Sequence, residues 1–312
     1  MRNIESQGPG AGTRKLVYIM SPSFAGSTLL TLLLARHPEI STVGELKGSA
    51  LGDVTKYCCS CGKSFESCSF WRRLFLSAEE IGTKSVLDDL GTHFRSGKYA
   101  LDRILRATVG NRRFEWIRKF LLQQVPAFKT TYSDILVTNE KLIDLICDIQ
   151  GGPVFLDGSK DPNRLMYFAK SKLFDLKIIT LQRDGRGVCN STRQHFGCTL
   201  DRAIHEWTRK VQEIVRTANS FSPGQVHRMT YEDLCRDPRK NIDEALEFLE
   251  LESPAESHLR HTDDLHVLGN AMRLASVDEI SLDEKWKRKF SSSDYQVFFQ
   301  KAEKLNRSLG YR

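Results

Sequence analysis

KLVYIMSPSFAGSTLLTLLLAR, residues 15–36, reads as a strand, a tight turn and a helix. Leu16 to Met20 form a short apolar run of the kind a buried parallel strand shows, and Ser27 to Ala35 form an apolar stretch long enough to begin a helix. Gly26 lies in the turn between them, so Ser23, Phe24, Ala25, Gly26, Ser27 and Thr28 surround a helix N-terminus. Free backbone N–H groups and the positive end of the helix dipole make such a turn a cradle for a phosphate-like anion.

Working outward, the 312 residues and 40% apolar content suffice for one large α/β domain or two small ones. A net charge of +7 suits an anionic ligand. No block of basic residues interleaved with aromatics and no nucleic-acid-binding motif is present, which argues against RNA or DNA as a partner. No apolar run approaches the length of a membrane span, and MRNIESQGPGAGTR lacks a hydrophobic signal region. The expectation is a soluble cytoplasmic protein, conditional on no anchor having been removed, with residues 1–13 a disordered lead and 14–312 a single domain.

The phosphate-loop pattern GxxxxGK[ST] is the natural comparison for the turn. Ser21 stands at its first glycine and Ser27 at its lysine, so the cation that reaches the outer phosphates is missing and a nucleotide kinase or NTPase fits less well. Three further strands are expected at Pro153–Leu156, Leu176–Leu181 and Gln225–Met229, each followed by polar residues and a helix. The first leads into DGSKDPNRL, which puts Lys160 at the carboxyl edge of the sheet, where open α/β sheets bind ligands. The second ends at Arg183, with Ser191 eight residues on, about two helical turns. An arginine at a strand edge and a hydroxyl on the following helix can grip one phosphate together. The third leads into YEDL, where Tyr231 offers a ring and a hydroxyl to a base.

Glu45, in HPEISTVGELKG, is a candidate general base or a plain surface acid. From residue 76 to 150 the apolar spacing is helical, which predicts an insertion beside the sheet that forms part of an acceptor pocket, with Trp116, Phe120 and Phe128 in the core. His195 and His205 read as surface or packing residues. Of the eight cysteines, Cys58, Cys59, Cys61 and Cys68 crowd into the loop 58–71. Cys58 and Cys61 have CxxC spacing interrupted by Cys59, so reduced thiols, or a redox or structural loop, are favoured over zinc. Cys147, Cys189, Cys198 and Cys235 read as buried or inert thiols.

Together SFAGSTLL, the Lys160-Asp161-Pro162 segment, the Arg183…Ser191 pair and YEDL resemble the sulfotransferases that use 3′-phosphoadenosine 5′-phosphosulfate (PAPS). The resemblance is to bacterial-type members, with similarity to the tyrosylprotein and cytosolic enzymes. The resemblance implies a P-loop-like three-layer α/β sandwich with a central parallel sheet and a helical insertion. It implies that Ser23 to Thr28 hold the 5′-phosphosulfate, that Arg183 and Ser191 hold the 3′-phosphate, and that Tyr231 contacts adenine. Lys160 would stabilise the migrating charge, and Glu45 would deprotonate an acceptor hydroxyl. In the tyrosylprotein pattern HPEVRCGEE, strict register places the base on Leu46, with Glu45 its neighbour. GNAMR, residues 269–273, resembles a late GNxxR stretch and brings Arg273, with Trp286, toward the nucleotide. No metal is required in this scheme, and PAP is the product. Phe24 stands where the family's loop carries Arg or Lys, which raises the alternative of a catalytically weak PAPS- or PAP-binding protein. The acceptor has no readable signature.

Overall fold

Five strands form one parallel sheet in the order β2-β3-β1-β4-β5. The computed structural model describes residues 13–48, 57–83, 89–110, 112–274 and 280–312; all of the expected N-terminal lead except Thr13 lies outside them. The strands are β1 (Lys15–Met20), β2 (Ile40–Ser41), β3 (Val154–Asp157), β4 (Asp175–Gln182) and β5 (Val226–Thr230). The helices are α1 (Ser27–Ala35), α2 (Ser69–Glu80), α3 (Tyr99–Arg106), α4 (Arg112–Gln124), α5 (Pro126–Gln150), α6 (Pro162–Ser171), α7 (Gly185–Phe196) and α8 (Leu200–Ala218). They continue with α9 (Tyr231–Arg236), α10 (Pro238–Phe248), α11 (Trp286–Lys289) and α12 (Ser292–Ser308).

β1 is central, with Leu16 opposite Phe155 of β3 on one side and opposite Leu176 of β4 on the other. Burial on both faces explains its unbroken apolar run. Leu16, Tyr18 and Met20 face one core with Ile143 and Ile146 of α5 and Phe168 of α6. Val17 and Ile19 face the other, with Leu30 of α1, Leu234 of α9 and Leu246 of α10. This is the three-layer P-loop-like sandwich. A third cluster joins α7, α8, α11 and α12 through Val188, Trp207, Trp286 and Phe298.

The chain leaves β1 toward the β3 side, then returns across β1 to build β4 and β5, so β1 marks the topological switch point. Ligand crevices form at the carboxyl ends of strands there. The loops after β1, β3 and β4, which carry Gly26, Lys160 and Arg183, therefore converge on one rim.

The helical region differs from expectation in two ways. The second half of α5 forms part of the sheet-covering layer itself, through Leu142, Ile143 and Ile146. On α4, Trp116 and Phe120 are 67% and 50% exposed, whereas Arg118 and Leu122 are buried. At about 100° per residue, positions two apart point to nearly opposite sides of a helix, so only one of these pairs can face inward. Arg118 takes the inward place because Asn163 Oδ1 accepts from it at 2.9 Å and Glu115 pairs with it at 3.2 Å. Trp116 and Phe120 stack on each other instead, with ring centroids 5.8 Å apart. Phe128 packs at the margin of the first core, as expected.

Candidate active site

The loop after β1 turns through Phe24 at φ 61° and Gly26 at φ 87°, both in the left-handed region. Gly26 caps α1, and a Cβ there would stand 2.4 Å from Tyr231 Cδ2, so the ring of Tyr231 lies directly on the turn. Ser21, at the start of the loop, is fully buried, and its hydroxyl has no hydrogen-bond partner among the described residues. An orphaned donor at the head of an anion cradle suits an anionic ligand.

Arg183 reaches the same loop from β4. Its Nη1 donates to the Phe24 carbonyl at 2.8 Å, and its guanidinium lies 4.4 Å from the centre of the Tyr231 ring. Nη2 donates to the Asp283 carbonyl at 2.7 Å and stands 3.3 Å from that residue's carboxylate. Gly187 leaves room for this side chain, since a Cβ there would come within 3.0 Å of Arg183 Nε. Ser191 is half-buried on α7, one turn before His195, whose ring packs 5.3 Å from that of Phe24. Burial, partly offset by the Asp283 amide that its hydroxyl accepts from, pushes the Tyr231 phenol up to about 12, so it keeps its proton at neutral pH.

On the other side of the loop, Ser21 and Ser23 line a chamber of about 390 Å³ together with Glu45 and Lys160. Lys160 Nζ donates to Glu45 Oε1 at 2.6 Å, and the backbone of Lys160 is left-handed at φ 64°. Such a backbone costs energy and persists only when its surroundings enforce it. The enforcing contacts come from both flanks. Asp157, fully buried, pairs with Arg164 Nε at 2.8 Å and accepts from the amide of Ser159. Asp161 caps α6, and its backbone carbonyl and amide both bond the hydroxyl of Tyr18 on β1. Burial opposes ionisation of Asp161, but Lys47, 3.1 Å away, together with Lys210 and the Asn163 amide, outweighs it and holds the carboxyl below its usual range.

Glu45 is placed by the chain leaving β2, where Gly44 bridges Leu268 and Leu46 is buried. A Cβ on Gly269 would stand 3.6 Å from both Glu45 Oε1 and Thr28 Oγ1, so the start of α1, Glu45 and Lys160 share one neighbourhood. Arg273 is differently employed. It donates to the carbonyls of Cys58, Gly269 and Asn270 and lies 4.1 Å from the centre of the Tyr57 ring, which fastens the 269–273 stretch in place. Trp286 is packed in the third cluster beneath Arg186, 4.4 Å from its guanidinium.

Sequence reasoning passed over several chamber residues. Lys47, Arg106, Arg209 and Lys210 add cations to its wall, and His93 opens into it as well. Burial, then the charges of Lys47, Arg95 and Arg164, hold His93 down to about 4, so its ring is neutral at pH 7. These residues carry no motif spacing; only the fold collects them.

A glycine turn at the switch point of a parallel sheet, with a basic side chain delivered from each neighbouring strand, defines a P-loop-like α/β protein whose rim suits an anion. Residues 79–255, more than half of the chain, match the sulfotransferase family, and the chain belongs to that family. The fold is similar to that of the sulfotransferase domain from the Synechococcus PCC 7002 olefin synthase, with a TM-score of 0.54 at 18% identity over 99% of this chain and 97% of that one. The sulfotransferase domain from the curacin biosynthetic pathway gives a TM-score of 0.49 at 16% identity over 96% of this chain and 98% of that one. No curated protein matches the sequence.

Proposed function

We propose that this protein transfers a sulfuryl group from PAPS to an acceptor hydroxyl. One observation carries the reading: the 21–26 loop presents Ser21 and Ser23 to the chamber that holds Lys160 and Glu45, while its Phe24 carbonyl binds Arg183 on the other side. One nucleotide carrying anionic groups at both ends would lie across such a loop. Ser23 to Thr28 and the free amides of α1 would hold the 5′-phosphosulfate; Arg183 and Ser191 would hold the 3′-phosphate, and Tyr231 would meet the adenine.

When bound, the donor supplies the sulfuryl group, and the chain's own residues position the partners and neutralise charge. Glu45 takes the proton from the acceptor hydroxyl as its oxygen bonds to sulfur. The bond from sulfur to the bridging oxygen breaks, and Lys160 meets the charge left on that oxygen. Their 2.6 Å contact lets one ion pair serve both ends of the displacement. Phe24 removes a cation from the loop, and Lys47, Arg106, Arg209 and Lys210 supply positive charge around the chamber in its place. The acceptor pocket is the wall formed by His93, Phe94, Arg106 and Thr108, from the segment between α2 and α4.

Calorimetry with PAP and transfer of labelled sulfate test the reading together. Arg183→Ala is expected to weaken PAP binding at least tenfold through loss of a charged contact. Lys160→Ala and Glu45→Ala are expected to abolish transfer while PAP binding remains. Tight ATP binding without PAP binding would overturn the donor assignment. PAP binding with no transfer to any acceptor would make the protein a nucleotide binder.

A further inference from the structure

Away from the donor loop, Cys59, Cys61, Cys68 and His266 bring four ligand atoms within 4.8 Å of one another. His266 Nδ1 lies 3.5 Å from Cys59 Sγ and 3.4 Å from Cys68 Sγ. Cys68 Sγ stands 3.7 Å from Cys61 Sγ and 3.9 Å from Cys59 Sγ. A tetrahedral zinc ion, with bonds of about 2.3 Å to sulfur and about 2.0–2.1 Å to nitrogen, sets its ligands about 3.8 Å apart between sulfurs and about 3.5 Å apart between sulfur and nitrogen. A disulfide would instead close two sulfurs to about 2.05 Å and leave the third thiol and the imidazole unexplained. Buried thiols packed as small apolar groups explain neither the convergence of three sulfurs nor an imidazole nitrogen aimed among them.

We propose that Cys59, Cys61, Cys68 and His266 bind one structural zinc ion. The pairing is not the Cys58/Cys61 spacing visible in the sequence. Cys58 Sγ points at the Cys59 carbonyl and stays outside the cluster. Cys59 and Cys61 are put on one side by a tight turn in which Gly62, at φ 79°, donates to the Cys59 carbonyl. Cys68 is the N-cap of α2, which fixes its sulfur at the start of that helix. His266 is held by stacking on Phe70, with ring centroids 4.6 Å apart and planes 6° from parallel. Three thiolates and one imidazole form a closed, soft donor set with no place for substrate, which marks a structural site.

The ion ties residues 57–68 to 265–269, segments some two hundred positions apart in the chain. The same two segments are also joined by Ser60 Oγ with Leu265 and Val267, and by Tyr57 with Gly269. The bracket backs the Gly269 position that touches Glu45 and Thr28, so the metal steadies one wall of the active site without joining the chemistry.

The test uses the full chain purified without chelator, with metal measured by elemental analysis and native mass spectrometry. One zinc per chain is expected. Replacement with cobalt(II) is expected to give thiolate charge-transfer bands and the intense visible bands of a tetrahedral site. A strong chelator is expected to lower the melting temperature, and zinc to restore it. Cys61→Ser and His266→Ala are expected to weaken zinc binding at least tenfold, while Cys58→Ser retains a full equivalent. Folded protein that neither contains nor takes up zinc overturns the proposal. So does a Cys61–Cys68 disulfide in protein alkylated without reductant, or equal loss of metal in Cys58→Ser and Cys61→Ser. The cobalt spectrum of the unaltered chain decides the matter even if the variants fail to fold.

Discussion

At Gly26 the backbone stands at φ 87° with the ring of Tyr231 against its α-carbon, so two constraints meet on one residue. Alanine there must adopt a conformation costly to L-residues and displace the tyrosine. Gly26→Ala is therefore expected to cost about 1–3 kcal/mol of stability, read by urea unfolding. If PAP is the ligand, its affinity should fall too, because Tyr231 also carries Arg183 on its ring. Unchanged unfolding and affinity would mean that the turn relaxes freely. His93 yields a pH dependence. Its neutral form is favoured in the fold, so an unfolded chain takes up a proton near 6.5 while the folded one resists until about 4. In that window the unfolded state binds more protons, so His93 subtracts stability as pH falls from about 6.5, and the loss is complete below about 4. His93→Asn should flatten this part of the stability profile; an identical acid slope would assign the slope to other groups. The Lys160 and Arg183 placements follow from strand ends that the sequence shows openly. The neutrality of His93 was not legible, since it depends first on burial and then on cations from three separate segments.

At the scale of elements, strands were the most readable. The apolar runs at 16–20, 153–156, 176–181 and 225–229 fall within one residue of β1, β3, β4 and β5 at each end. β2 has only two residues, too short for any periodicity to mark it. The aromatics of α4 misled because hydrophobic spacing tells which residues share a helix face and not which face turns inward. Arg118 and its partners decided that question. A similar buried arginine holds the Lys160 loop. Arg164 joins α6 to Asp157 of β3 and to the Thr92 carbonyl at 2.6 Å, and its side chain is 2% exposed. Arg164→Met leaves Asp157 as an uncompensated buried carboxylate, and a loss of about 3–5 kcal/mol is expected in chemical denaturation. The double variant Arg164→Met, Asp157→Leu should recover part of it. Failure to recover would place the cost in the lost packing of α6.

Over the whole molecule, residues far apart in sequence close the rim around Arg183. Asp283, a hundred positions beyond Arg183, pairs with it, and Tyr311 near the C-terminus donates to Glu232 at 2.7 Å beside the same strands. A 3′-phosphate drawn to Arg183 would meet the Asp283 carboxylate as a like charge. Asp283→Asn, which keeps the main-chain contact, is expected to tighten PAP binding about threefold or more by calorimetry. Weaker binding would show instead that the carboxylate orients the guanidinium. The resemblance pointed to this stretch through Trp286, but the pairing of Asp283 with Arg183 was not legible, because Asp283 carries no spacing relation to β4.

Because every strand runs the same way, Gly26, Lys160 and Arg183 are rooted in the sheet, whereas His93, Phe94, Arg106 and Thr108 hang from the segment between α2 and α4. Evolution can therefore redraw that wall of the chamber without disturbing a single ladder hydrogen bond. A chain built on this scaffold is free to reshape that wall while keeping the strand-end loops fixed.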